Sequence, residues 1–112
     1  MNVGEVEIEL DGKKYTLRPS LGAAKRINAM GDFQSVINKI LSYDLSYYIN
    51  VVAAGLDKRP QTLMEVGGVS MEEAVYKTGM HALVTPLSLY VGYLANGGKP
   101  VDNGAAPQTG EA

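Results

Sequence analysis

The stretch from residue 4 to residue 22, GEVEIELDGKKYTLRPSLG, constrains the fold most, because it predicts a β-hairpin that leads directly into a helix. In its first half Val6, Ile8 and Leu10 alternate with glutamates, which is the period-2 pattern of a strand with one buried face. Asp11-Gly12 follows, and this dipeptide favours a two-residue type I′ turn between antiparallel strands. The stretch therefore predicts a hairpin rather than a single strand.

A two-residue turn at Asp11-Gly12 also fixes the register of the hairpin. On one face this register places Glu9 opposite Lys14 and Glu5 opposite Arg18, so that opposite charges meet across the strands. The apolar pattern independently predicts the same register. The predicted apolar face consists of Val6, Ile8, Tyr15 and Leu17.

Apolar periodicity predicts three helices after the hairpin. Ser20 is suited to cap the first helix, which we expect to end at Gly31, and Asp32 and Asp44 are suited to cap the second and the third. The residues with helical spacing are predicted to face the core. They are Leu21, Ala24, Ile27 and Met30 in the first helix; Phe33, Val36, Ile37, Ile40 and Leu41 in the second; and Leu45, Ile49, Val52 and Leu56 in the third.

Two capping boxes, Thr62 to Glu65 and Ser70 to Glu73, predict further helix starts. The first opens a short turn, and the second opens a long helix that ends at Asn96-Gly97. Pro86 predicts a kink or a break in that helix, and Thr85 is an alternative cap for a separate last helix. The predicted core stripe is Tyr76, Met80, Leu83, Leu87, Tyr90 and Leu94.

These elements predict an α+β fold that is mostly α: an N-terminal β-hairpin (4–18) followed by a bundle of about four to five helices (20–96). A chain of 112 residues, 46% of them hydrophobic, suits one domain, which we place at 1–96. Residues 97–112 contain four glycines, two prolines and almost no large apolar side chain. We expect them to form a flexible C-terminal tail.

Composition narrows the classes of partner. The net charge of -2 offers no polycationic patch for a phosphate backbone, so nucleic acid is not a predicted partner. No basic start followed by an apolar run predicts a signal peptide, and no window has the roughly 18 apolar residues of a membrane span. We therefore expect a soluble protein inside a cell, or in a particle assembled there, with no membrane partner.

The sequence does not predict catalysis. It contains no cysteine, and its single histidine, His81, has no carboxylate at helical spacing to orient it, which is typical of a histidine on a helix surface. Glu5, Glu7 and Glu9 fit a charge-paired strand face better than a metal site. We predict no catalytic residue, no cofactor and no metal, and a binding or assembly protein rather than an enzyme.

Three of the seven tyrosines are the candidate partner-binding residues. Most tyrosines fall on the predicted apolar stripes, where core packing explains them. Tyr43, Tyr47 and Tyr93 do not, and tyrosines outside a core stripe are enriched in protein interfaces.

The hairpin and the helix after it resemble the gene transfer agent and phage tail protein family. The pattern G-x-x-x-x-x-L-D-G-x-x-Y-x-L-x-x-S/T-L-G-A spans Gly4 to Ala23, and Ala54-Gly55-Leu56 matches a second family element. The resemblance covers about residues 4 to 96. These motifs are turn and packing residues and carry no catalytic signature.

The resemblance implies a role in virion morphogenesis, with the gene in a tail cluster of a phage, a prophage or a gene transfer agent. Proteins of this size there look like tail assembly chaperones, which bind the tape measure protein and keep it soluble until tail tube subunits polymerise around it. The implied place is the cytoplasm of the host cell. The alternative is a structural minor tail or tail-completion subunit retained in the particle, and other tail partners and a homo-oligomer stay open. The Tyr43, Tyr47, Tyr48 cluster and the long tail after Asn96 depart from the family pattern.

Overall fold

A computed structural model describes residues 4–56, 65–66 and 69–100 of the chain. As the sequence predicts, the fold is α+β and mostly α, with a two-stranded antiparallel hairpin followed by five helices. The strands are β1 (Val6–Leu10), β2 (Lys13–Leu17), β3 (Glu65–Val66) and β4 (Val69–Ser70), and the helices are α1 (Leu21–Asn28), α2 (Phe33–Leu41), α3 (Leu45–Gly55), α4 (Met71–Thr78) and α5 (Met80–Ala95).

The predicted register of the hairpin is confirmed. Asp11 and Gly12 both have positive φ, 51° and 87°, as a type I′ turn requires, and Gly12 adopts this conformation without a steric cost. Glu5 and Arg18 form the predicted ion pair, with 3.7 Å between Oε2 and Nε. The pairs are Val6 with Leu17, Glu7 with Thr16, Ile8 with Tyr15, Glu9 with Lys14 and Leu10 with Lys13. The predicted apolar face packs on the helices, and only Tyr15 is half-buried.

The first three helices start where the sequence predicts them. The Ser20 hydroxyl accepts the amide of Ala23 at 3.0 Å, and the Asp32 carboxylate accepts the amide of Ser35 at 2.8 Å. This second hydrogen bond lowers the pKa of Asp32 below its ordinary value. Asp44 occupies the N-cap position of α3, but its side chain makes no capping hydrogen bond.

Two helix ends differ from the prediction. Helix α1 ends at Asn28, before Gly31, which has a φ of 146°. Of the kink or break predicted at Pro86, the break is wrong, because α5 continues through this residue. The chain instead separates α4 from α5 at Gly79, whose φ of 96° is readily adopted only by glycine. Pro86 lies inside α5, and the carbonyl it leaves without a helical donor belongs to Ala82, an exposed residue.

The two predicted capping boxes have different outcomes. The Ser70 hydroxyl accepts the amide of Glu73 at 3.2 Å, so this start is confirmed, at α4. The short turn predicted from Thr62 to Gly67-Gly68 lies outside the described residues except for Glu65 and Val66, which form β3 and pair with β4.

One hydrophobic core joins the hairpin to all five helices. Three residues predicted to face it are instead exposed: Leu21 by 76%, Leu41 by 57% and Tyr76 by 65%. Each lies at or near the end of a short helix. There the apolar stripe of the helix can extend past the part that neighbouring elements cover.

Helix α3 occupies the centre of the fold and contacts α1, α2, α4, α5 and β2. The single stripe predicted for it is therefore too narrow. Of that stripe only Val52 is fully enclosed, whereas Tyr48 and every residue from Val51 to Gly55 are buried. Gly55 is required for this packing, because a Cβ atom there would lie 2.7 Å from a methyl group of Leu17 on β2.

The first residues of the predicted tail are held in place. The Gly98 amide donates to the Tyr93 carbonyl at 2.7 Å, and the Asn96 side chain donates to the carbonyls of Lys99 and Pro100. Residues 101–112 lie outside the described part, so the flexibility predicted for them stays a prediction. None of the described helices is long and apolar enough to cross a membrane.

Candidate protein-binding surface

The structure places the three candidate tyrosines on different parts of the molecule. Tyr43 follows the last residue of α2 by two positions and is 47% exposed. Tyr47 lies in the first turn of α3, and Tyr93 lies in the last turn of α5. Both of these are half-buried and pack against the core. Tyr43 is therefore the candidate whose ring is most available to a partner.

Tyr43 has a backbone conformation that favours glycine. It terminates α2 in a Schellman motif, in which its own amide donates to Ile40 and the amide of Asp44 donates to Lys39, each at 3.1 Å. The motif needs a left-handed residue at this position, and Tyr43 has a φ of 63°. A side chain with a Cβ costs about 1 kcal/mol there relative to glycine. Backbone strain of this kind is concentrated at functional positions.

The Tyr43 side chain reaches the start of α5. Its hydroxyl lies 3.3 Å from Nδ1 of His81, and the two ring centroids are 6.4 Å apart. His81 is exposed, as the sequence predicts for a histidine on a helix surface. Their contact joins residues 38 positions apart, and no local pattern in the sequence could have indicated it. Tyr43 and His81 thus form one exposed aromatic corner between α2 and α5.

Tyr47 has a structural explanation that Tyr43 lacks. Its hydroxyl donates to the carbonyl of Met30 at 3.5 Å, and the Lys39 ammonium lies 5.9 Å from the centre of its ring. These contacts connect α3 to the end of α1 and to α2. Tyr47 therefore packs at the edge of the core, and the binding role predicted for it stays a prediction.

Two further tyrosines form hydrogen bonds that connect different elements of the fold. The Tyr48 hydroxyl donates to the carbonyl of Ile40 at 2.5 Å, and the Tyr90 hydroxyl donates to the carbonyl of Arg18 at 2.6 Å. Burial raises the pKa of Tyr48 to about 12, with a smaller contribution from Tyr43, and burial likewise raises the pKa of Tyr90. Both residues hold α2 or the hairpin to the central helices, and neither is placed to act on a ligand.

The outer face of α5 is the most unusual surface of the described residues. This helix has sixteen residues and contains no Asp, Glu, Lys or Arg. Its inner side supplies Leu83, Leu87, Tyr90, Val91 and Leu94 to the core. The opposite side is open, and we call it the outer face of α5: it comprises His81, Ala82, Thr85 and Leu89, which are exposed, and Gly92, which is half-exposed.

Three other helices have charged residues on the side that meets solvent. Lys25 is exposed on α1, Lys39 on α2, and Glu72, Glu73 and Lys77 on α4. Lys77 and Glu73 also form an ion pair at 3.4 Å. The outer face of α5 differs from these surfaces because it carries no Asp, Glu, Lys or Arg and exposes Leu89 by 46%.

Reading each helix for its core stripe alone missed this surface. The signal was present in the sequence, because no charged residue occurs from Thr78 to Gly98. The core stripe of α5 accounts for only one side of the helix. The absence of charge from the other side therefore needed a separate explanation.

Two open clefts flank the hairpin. A cleft of about 450 Å³ lies between Pro19, Leu21 and Leu94, and one of about 920 Å³ runs beside β2 from Lys14 to Arg18. Among residues 4–56, 65–66 and 69–100, no three His, Cys, Asp or Glu side chains are grouped so that they could hold a metal ion.

Comparison of the chain with protein-family models, with curated proteins and with solved structures gave no significant match.

Proposed function

We propose that this protein is a non-enzymatic tail assembly chaperone of a phage, a prophage or a gene transfer agent, which binds the tape measure protein in the host cytoplasm. The sequence motifs from Gly4 to Ala23 and at Ala54-Gly55-Leu56 suggest the family. The observation that supports binding most directly is the uncharged, exposed outer face of α5.

The physical requirement on such a chaperone suits this surface. A long helical partner that exposes apolar residues before assembly must be covered by a protein that itself remains folded. A contiguous exposed apolar surface can mark an interaction site, and Leu89 is the large apolar side chain that the outer face of α5 exposes, by 46%. The core formed by the described residues includes no residue of the outer face of α5, so a partner can cover that face without disturbing this core.

Co-expression with the tape measure protein encoded beside this gene tests the proposal. We expect the soluble fraction of the tape measure protein to rise and the two proteins to copurify through affinity and size-exclusion steps. The matched control is the tape measure protein expressed with an unrelated small helical protein. If solubility does not rise and no complex forms, the proposal is wrong.

Mass spectrometry of purified particles separates this function from the alternative of a minor tail or tail-completion subunit. A chaperone leaves before the particle is complete, so we expect its peptides to be absent from purified particles. Their presence at a fixed ratio to the tail tube subunit would support the structural alternative instead.

A further inference from the structure

We infer that the outer face of α5 binds one amphipathic helix of the partner lengthwise, with Tyr43 contacting one end of that helix. This inference rests on the proposed function and deepens it, because it names the surface and the kind of segment that occupies it. Three features of the face identify the occupant: its charge, the spacing of its residues and its area.

Because the outer face of α5 carries no charge, it favours an uncharged partner surface. From His81 to Asn96 no Asp, Glu, Lys or Arg on α5 is available to pair with a charged group brought by a partner. Burying a charge without a partner is strongly unfavourable, so the covered side of the partner must be uncharged too. The apolar stripe of an amphipathic helix meets this condition, and its polar side would remain in water.

The spacing of the face suits a helix that runs alongside α5. Ala82, Thr85, Leu89 and Gly92 follow one another at intervals of three, four and three residues. This is the spacing of a seam between two helices that cross at a small angle. A Cβ atom added at Gly92 would meet no other atom within 4 Å, so the space beyond that end of the seam is open.

The area of the face is too small for a second copy of the whole protein. Helix α5 is about 24 Å long and about 10 Å wide, which gives the face an area of about 240 Å². A stable interface between two folded proteins needs about 800 Å² on each partner. A single helix needs only a narrow strip with a few anchoring residues, and the face supplies Leu89 near its middle.

Tyr43 extends the same face at its amino-terminal end. It contacts His81, the first exposed residue of the face, and its ring is 47% exposed. Tyrosine is enriched among the residues that dominate binding energy, and this tyrosine keeps a position that glycine would fill at lower conformational cost. An anchoring role for the ring explains why a side chain is present there.

A matched pair of lysine substitutions tests the inference. Leu89→Lys introduces a charge on the outer face of α5, and Tyr76→Lys introduces the same charge at an exposed apolar residue of α4. Copurification and titration with the tape measure protein are measured for both variants and for the unsubstituted protein. We expect Leu89→Lys to weaken binding at least tenfold, Tyr76→Lys to bind normally, and both variants to unfold at the midpoint of the parent.

Each other outcome overturns the inference in a distinguishable way. If Leu89→Lys binds as the parent does, the surface is wrong while the proposed function stands. If the unsubstituted protein does not bind, the proposed function fails, and the inference fails with it. If Leu89→Lys only dissociates a dimer seen by sedimentation, the occupant is a second copy. Should Leu89→Lys fail to fold, Thr85→Lys at an exposed position must give the same tenfold loss.

Discussion

Helices α3 and α5 are both uncharged along their whole length, but they differ in how much of their surface is buried. Helix α3 is surrounded by four helices and the hairpin, and Ser46 is its only fully exposed residue. Helix α5 is covered on one side, and His81, Ala82, Thr85, Leu89 and Ala95 are exposed on it. The absence of charge therefore has a different explanation in each helix. The core of this protein accounts for α3, whereas only half of α5 is accounted for in the same way.

The difference shows how an uncharged helix can be interpreted. Apolar surface is stable when it is removed from water, whichever molecule removes it. In α3 the protein's own side chains do so, and substitutions there should act on folding. On the outer face of α5 nothing within the described residues does so, and substitutions there should act on binding. The predictions below test this separation, from the largest effect to the smallest.

The sharpest contrast comes from placing the same charge in each helix. Val52→Asp buries an unpaired carboxylate at the centre of α3, and we expect a loss of about 4 kcal/mol or more, enough to unfold a small domain. Thr85→Asp, on the outer face of α5, should change the free energy of unfolding by about 0.5 kcal/mol or less. Urea denaturation followed by circular dichroism measures both. Equal losses would remove the distinction between the helices.

A smaller effect is expected where α3 touches the hairpin. Gly55→Ala should lower the free energy of unfolding by about 1–3 kcal/mol, because the added methyl group would overlap the Leu17 side chain. Gly22→Ala is the control, since its methyl group would be 3.8 Å from its nearest neighbour and alanine favours the helix. Thermal denaturation compares the two. A neutral Gly55→Ala would show that α3 can move away from the hairpin.

Alkaline pH should weaken the attachment of α3 to α2 through Tyr48. Its pKa is raised to about 12 from 10.0, so the folded state holds the phenolic proton more tightly than the unfolded state does. This contribution to stability is complete below pH 10 and is lost as the pH rises towards 12. Tyr48→Phe lacks this proton, so its free energy of unfolding should fall less than that of the parent as the pH rises from 10.0 to about 12. Urea midpoints across this range measure it, and parallel curves would contradict it.

The smallest effect on folding is expected at Tyr43. Tyr43→Gly relieves a left-handed backbone but removes the contact with His81, so we expect a change of about 1 kcal/mol or less in stability. Binding of the tape measure protein should nevertheless weaken measurably by isothermal titration. The reference is Tyr43→Phe, which keeps the ring and should bind more tightly than Tyr43→Gly. Equal affinities for the two would exclude the ring as an anchor.

Local patterns predicted the local structure well. The hairpin register followed from Asp11-Gly12 and two face patterns, and the starts of α1, α2 and α4 followed from Ser20, Asp32 and Ser70. In each case the deciding interaction joins residues close in sequence. Two helix ends were exceptions. Helix α1 ends at Asn28, before Gly31, and α4 ends at Thr78, before Gly79, so that Pro86 lies inside α5.

Properties that depend on distant elements were not predictable in the same way. The enclosure of α3 on most sides, the exposure of Leu21 and Tyr76, and the contact between Tyr43 and His81 all depend on how helices far apart in sequence pack. Of the three candidate tyrosines, Tyr43 is the most exposed, and binding by any of the three stays a prediction. Tyr93 packs against the core at the far end of α5.

The most direct test of the central claim is the accessibility of the outer face of α5 in the complex. The chain has no cysteine, so a single substitution introduces a unique thiol. Thr85→Cys places it on the outer face of α5, and Lys14→Cys, the control, places it on the hairpin; both positions are exposed. The rate of alkylation is measured for each variant alone and with the tape measure protein. We predict at least tenfold slower alkylation at position 85 in the complex and an unchanged rate at position 14. An unchanged rate at position 85 in a complex that has formed would contradict the account.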